Sequence, residues 1–165
     1  MYHRNNLTNL SWALNNTPSA TAFVRGNTEY SSINGSVKFF PTSRGVVVSA
    51  EISGLPVSDG KCGNNIFAFH IHSGTSCTGN ADDAFADAGT HYNPTDCPHP
   101  YHAGDMPPLF SANGMAFLAF LTDRFTVDEI IGKVVIIHDS PDDFTTQPSG
   151  NAGKKIACGK IITGR

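Results

Sequence analysis

Short runs of alternating apolar and polar residues, broken at glycine and proline, dominate the chain. Ala20–Arg25 (ATAFVR) stops at Gly26, Ile33–Phe40 (INGSVKFF) at Pro41, and Gly45–Ser53 (GVVVSAEIS) is closed by Gly54 and Pro56. Runs of this length, rich in β-branched and aromatic residues between turn formers, predict strands. Asn65–His72 (NIFAFHIH) predicts a fourth. Side chains alternate along a strand, so Ile66, Ala68, His70 and His72 fall on one face and Phe67, Phe69 and Ile71 on the other. Pro108–Ser111, the Asn113-Gly114 hairpin signal, Met115–Thr122, Lys133–His138 and Lys155–Thr163 continue the pattern. Only Asp123–Ile131 is expected to take a short helical turn. About eight strands without an internal repeat predict an all-β antiparallel sandwich or flattened barrel. Residues 1–19 read as a polar arm ahead of the first strand, expected either to be loosely ordered or to serve interaction or oligomerisation through Leu7, Leu10, Trp12 and Leu14. The domain proper is residues 20–165.

Composition narrows the classes. A chain of 165 residues that is 39% hydrophobic builds one domain with a real core. A net charge of -3 with 15% charged residues offers no broad basic field for nucleic acid or an anionic membrane surface. No stretch approaches the roughly 18 apolar residues of a membrane span. The first twenty residues hold no secretory apolar region, so a cytoplasmic protein is expected as the sequence stands, and an extracytoplasmic one if the natural start lies upstream.

The candidate chemistry is concentrated in histidine. Six of the seven histidines lie in or beside one segment, His91–Asp105, which reads HYNPTDCPHPYHAGD and has neither a helical nor a strand period. His91, His99, His102 and Asp105 supply nitrogen and oxygen donors for a four-coordinate, closed site of the kind zinc takes. His70 and His72 share a strand face, and a second predicted strand ends at His138. With His91 they make a four-nitrogen set suited to copper, open to a small ligand.

Together these residues resemble a copper/zinc superoxide dismutase with the loop pattern of bacterial members. The matching pieces are Phe69-His70-Ile71-His72, His91-Tyr92-Asn93-Pro94, the step from His91 to His99, His102-Ala103-Gly104-Asp105, Ile130-Ile131-Gly132-Lys133 leading to His138, Asp142-Asp143, and Gly150-Asn151-Ala152-Gly153 running into Ala157-Cys158-Gly159. The resemblance spans roughly residues 21–162. It implies a Greek-key, immunoglobulin-like flattened barrel with long metal-binding loops. It also implies one copper at His70, His72, His91 and His138, and one zinc at His91, His99, His102 and Asp105. His91 is then shared between the ions and acts as a proton source in catalysis, while Asp142 links a copper-side to a zinc-side histidine and fixes both rings. The implied reaction is dismutation, one superoxide being oxidised to dioxygen by Cu(II) and the next reduced to hydrogen peroxide by Cu(I), with two protons consumed. A copper-handling module or a zinc-stabilised, non-catalytic binding protein of the same fold is the alternative. Family members occur as monomers and as dimers, so a homodimer is one expectation.

Two departures matter. Lys155 stands where the family usually has an arginine, keeping the charge that attracts the anion but not the planar fork that orients it, so slower or less selective catalysis is expected. The loop from Asp142 to Gly153 carries few charges, which leaves attraction to Lys154 and Lys155. The four cysteines allow three pairings. The resemblance implies a Cys77–Cys158 bridge. Cys62 and Cys97 then form a second bridge pinning the histidine loop, stay as thiols, or bring Cys97 to the zinc, with the second bridge slightly favoured.

Overall fold

The computed structural model describes residues 11, 15–58, 60 and 62–164. Among these residues nine strands, β1 (Ala20–Gly26), β2 (Asn34–Thr42), β3 (Gly45–Ser53), β4 (Ile66–Phe67), β5 (Phe69–His72), β6 (Leu109–Ala112), β7 (Met115–Thr122), β8 (Val134–His138) and β9 (Lys155–Thr163), form one antiparallel sheet in the order β4-β6-β7-β3-β2-β1-β9-β8-β5. The edge strands β4 and β5 are consecutive in the chain, so the sheet curls into a nearly closed barrel with its seam at Ala68.

The strand expected over residues 65–72 is therefore two strands. Ile66 and Phe67 pair with β6, while Phe69–His72 pair with β8, from Phe69↔Ile137 to His72↔Val134. At the break, Ala68 N–H donates to the Ser140 carbonyl (2.9 Å) and His138 N–H to the Ala68 carbonyl (2.9 Å), so no backbone group is stranded. One chain segment thus serves two neighbours, which accounts for nine strands where about eight were expected. The helical turn expected over residues 123–131 is the single turn α1 (Val127–Ile130), which begins in a capping box between Thr126 and Glu129.

Inside the barrel, Val24, Ile33, Val37, Phe39, Val48, Ile52, Phe69, Ile71, Ile137, Ile156 and Ile161 form one buried cluster. Phe69 and Ile71 enter it as the alternation predicted, which turns His70 and His72 outward. They are not left in water, being 0% and 2% exposed. The histidine loop lies along the free edge of β5: Tyr92 N–H donates to the Ile71 carbonyl (2.8 Å), Ile71 N–H to the Gly104 carbonyl (2.9 Å), and Gly104 N–H to the Tyr92 carbonyl (2.8 Å). The loop covers an edge that would otherwise offer unpaired backbone groups. Gly104 is required by this contact, because a Cβ there would sit 2.2 Å from the Ile71 carbonyl oxygen.

Of the polar arm, residues 1–10 and 12–14 lie outside the described residues, and with them Leu7, Leu10, Trp12 and Leu14. Among the described residues no helix is long and apolar enough to cross a membrane.

Candidate metal centre

Strand geometry and the loop converge on two donor sets. His70, His72, His91 and His138 place one nitrogen each within 4.8 Å of one another, as do His91, His99 and His102 with an Asp105 oxygen, and all seven residues are buried. The residues expected from the sequence as ligands fall into these two groups, and His91 belongs to both. β5 contributes His70 and His72, the end of β8 contributes His138 beyond a register shift at Ile137/His138, and the loop contributes the rest. The loop is docked on β5 by single bridges, His72↔His91 and His70↔Asp105, which bring residues far apart in sequence side by side.

Hydrogen bonds decide which nitrogen each ring presents. His72 Nδ1–H donates to the Gly89 carbonyl (2.8 Å) and His138 Nδ1–H to the Gly153 carbonyl (3.3 Å). A carbonyl oxygen can only accept, so both rings keep a bare Nε2, and these two atoms lie 3.4 Å apart. Asp142 receives His70 Nε2–H on Oδ2 (2.8 Å) and His99 Nε2–H on Oδ1 (2.9 Å), which leaves Nδ1 of each ring bare. A glycine is needed beside this carboxylate, since a Cβ at Gly150 would fall 1.9 Å from Asp142 Oδ1. On the other side, His91 Nδ1 lies 2.7 Å from Asp105 Oδ1 and 3.4 Å from His102 Nδ1, and His102 Nδ1 lies 3.3 Å from Asp105 Oδ1.

The fit to two cations rests on atoms left without partners. His70 Nδ1, His91 Nε2 and His99 Nδ1 are buried and make no hydrogen bond among the described residues. His99 Nδ1 lies 3.1 Å from Asp105 Oδ2, close enough for an ion-pair contact but not aligned for a hydrogen bond. Stranding polar nitrogens costs about 1–3 kcal/mol each unless something takes their lone pairs. Two donors bound at about 2.0–2.1 Å to one tetrahedral ion stand about 3.3 Å apart, close to several of the spacings here. The rings are poised as ligands, with His91 presenting Nδ1 to one set and Nε2 to the other.

Burial keeps the open-sided histidines neutral. It lowers His72 well below the usual imidazole range, helped by His138 and His91, and lowers His138 to about 3, with His70 next in effect. Burial pushes Asp142 upward, but hydrogen bonds from His70, Phe144 N–H and His99 outweigh it and hold the carboxyl at about 2. Both groups make the metal-free protein acid-labile. As pH falls below about 6.5 the unfolded chain takes up a proton that folded His138 refuses until about 3. The unfolded Asp142 carboxylate protonates near 3.8, well before the folded one. Urea midpoints of the metal-free protein are therefore expected to fall steadily from pH 7 to pH 4; a flat profile would contradict this account.

Three supporting residues have no signal in the sequence. Arg124 Nη1 donates to the carbonyls of Pro100 (3.0 Å), His102 (3.2 Å) and Asp105 (3.3 Å), tying the loop to the segment after β7. Gln147 grips the backbone of His99 twice, accepting from its N–H (3.0 Å) and donating to its carbonyl (2.7 Å). The third is Asp83. Lys155 lines the open cavity together with His72, His91 and His138, as the sequence led one to expect, but its ammonium is paired with Asp83 at 2.5 Å.

The cysteines are corrected in one respect. Cys77 and Cys158 form the expected disulfide, whereas Cys62 and Cys97 are free thiols. Cys97 is held inside the histidine loop by Asn93, whose side chain donates to its carbonyl (2.8 Å) and accepts from its N–H (3.0 Å), while Cys62 is exposed in the connection after β3. Cys97 also lies outside both donor sets.

Comparison with known proteins agrees with this geometry. The family described as copper/zinc superoxide dismutase matches residues 33–161. The Cu-Zn superoxide dismutase 2 of Aquifex aeolicus is 32% identical over 150 residues, covering 82% of each chain. That of Photobacterium leiognathi is 33% identical over 141 residues, covering 77% of this chain and 78% of its own. That of Deinococcus radiodurans is 32% identical over 145 residues, covering 77% and 76%. The family match takes in all seven residues whose bare nitrogens and carboxylate face one another, and the chain belongs to the copper/zinc superoxide dismutase family.

Proposed function

We propose that the protein dismutates superoxide to dioxygen and hydrogen peroxide, with copper held by His70, His72, His91 and His138, and zinc by His91, His99, His102 and Asp105. The observation that carries this reading is His91, a buried ring whose two nitrogens face two separate donor sets. When bound, copper supplies one-electron exchange with superoxide and zinc supplies a fixed positive charge. The remaining work belongs to the chain. The cavity lined by His72, His91 and His138 is open on one side, so a small anion can approach the histidine-only set, while His99 and Asp142 are buried and do not line it. His91 would offer one nitrogen to each cation and then carry a proton on neither, so whenever Nε2 were not held by copper it would be the atom that takes up a proton and gives it back. Asp142 keeps His70 and His99 in the tautomer that leaves Nδ1 free. Lys155 attracts the anion at the mouth. The domain that does this is residues 20–165, with residues 1–19 as an accessory arm.

The test is reconstitution with copper and zinc, followed by metal analysis and superoxide decay on one sample. One copper and one zinc per chain with rapid decay is expected. Zinc alone, with decay no faster than buffer, would leave a zinc-stabilised binding protein.

A homodimer is supported by an exposed apolar face on β6 and β7. Phe110, Met115, Phe117 and Leu121 are 65%, 60%, 68% and 52% exposed, and the β6–β7 register, continued by one residue, sets Phe110 opposite Phe117. Large apolar side chains gathered on one sheet face mark an association surface. Sedimentation is expected to give twice the chain mass, and Phe117→Glu to give the monomer with metal content unchanged; a monomeric parent protein would refute this assignment.

A further inference from the structure

Asp83 is not among the residues that the copper and zinc sets require, yet it pairs with Lys155, which lines the cavity beside Lys154. Its Oδ2 lies 2.5 Å from Lys155 Nζ, with the lysine side chain 16% exposed and the aspartate 38%. The carboxylate is held firmly: Oδ1 accepts from Phe85 N–H (3.0 Å), Asp83 N–H donates to Asn80 Oδ1 (3.0 Å), and its carbonyl accepts from the N–H groups of Asn80 (2.9 Å) and Ala86 (3.1 Å). Cys77 joins this segment to Cys158 on β9, the strand that begins with Lys155, so both partners ride on one covalently linked unit. Burial pushes the Asp83 carboxyl up, but the Lys155 hydrogen bond and the Phe85 N–H outweigh it and keep it ionised. Around the mouth, the carboxylates of Glu29, Asp82 and Asp83 outnumber the ammonium groups of Lys154 and Lys155.

We propose that Asp83 is a positioning residue that sets the anion preference of the cavity through Lys155. This rests on the dismutase reading of the site and adds a residue which that reading does not need. A lone ammonium attracts anions over roughly a Debye length, about 10 Å at 0.1 M salt. Paired with a carboxylate it becomes a dipole, whose field dies away faster. Two of its three N–H groups remain available to an anion already in the cavity. Asp83 therefore trades long-range attraction for short-range order, restraining the flexible four-carbon stem that an arginine would orient by its own planar fork. Its absence should make the cavity faster to fill at low salt and less selective among anions.

The test uses the copper- and zinc-loaded protein and the variants Asp83→Asn, Asp83→Glu, Lys155→Met and Asp83→Asn/Lys155→Met, with metal content measured for each. Expected for Asp83→Asn are a superoxide rate constant about 3- to 10-fold above the parent at 10 mM ionic strength, convergence with the parent near 200 mM, and tighter azide binding read from the copper absorption band. Asp83→Glu is expected to restore the parent's salt profile, and the gain to vanish in the Lys155→Met background. A parent-like or lower rate for Asp83→Asn at low salt, with both metals in place, overturns the proposal. A separate readout covers the case of an inactive parent: acylation of Lys155 by acetic anhydride, followed by peptide mass spectrometry, is expected to be faster in Asp83→Asn with or without metals. Unchanged labelling means the pair does not hold the lysine, and overturns the proposal whatever the protein catalyses.

Discussion

His138→Ala is expected to lower superoxide dismutation by at least about 100-fold while zinc stays bound. Outer partners of metal ligands already cost 10- to 100-fold when removed, and His138 is itself a proposed donor. It belongs to the histidine-only set and not to the set that contains Asp105, so the two metal contents should part company. The ring lies at the end of β8, 4% exposed, with Nε2 3.4 Å from His72 Nε2. Removing it leaves three nitrogens and a gap on the wall of the open cavity. Added imidazole can reach that gap from solvent, so partial rescue of copper binding is expected at millimolar imidazole. Metal analysis with activity on the same samples checks both points. Full activity with both metals present would show that the histidine-only set is not the redox site.

Asp142→Asn should reach a similar end by moving one proton. The carboxylate accepts from two rings at once, and an amide has a single oxygen with which to do so. That oxygen is expected at the Oδ1 position, which accepts from both His99 Nε2 (2.9 Å) and Phe144 N–H (2.7 Å), whereas Oδ2 serves His70 alone. The new NH₂ then faces His70 Nε2, which must become an acceptor, and the ring proton moves to Nδ1. That is the atom needed by the histidine-only set. Copper affinity is therefore expected to fall by about 10- to 100-fold while zinc affinity changes little. His70 is buried away from the cavity wall, so imidazole should not rescue this variant, in contrast to His138→Ala. Competitive chelator titrations for each metal measure the outcome. Equal weakening of both metals would mean that Asp142 acts on the loop as a whole; zinc loss alone would place the amide the other way round.

The pH and metal behaviours expected here have a common cause. The site is built by removing imidazoles from water and then denying several of their nitrogens any partner. That arrangement is unfavourable for folding by itself and becomes favourable when cations take the lone pairs, so binding free energy is also folding free energy.

Much of this was legible in the chain. A strand has a period of two, so His70 and His72 had to share a face and Phe69 and Ile71 had to take the other. Proline and glycine around His91, His99, His102 and Asp105 ruled out regular structure there and left a loop of ligands. Those two facts, with His138 at a strand end, were enough to name both donor sets. The break at Ala68 was not legible, because the apolar alternation runs through it unchanged; only the closing of the barrel, which hands the segment from β6 to β8, interrupts the pairing. Nor was the free state of Cys62 and Cys97, since counting cysteines says nothing of distance. Arg124, Gln147 and Asp83 were hidden for the same reason: each acts across 19 or more residues of sequence, through polar contacts that no local period encodes. Donor chemistry and strand faces are local properties, which the sequence determines on its own. Which nitrogen each histidine presents, and what holds Lys155, depend on partners delivered by distant segments, and only the folded barrel decides them.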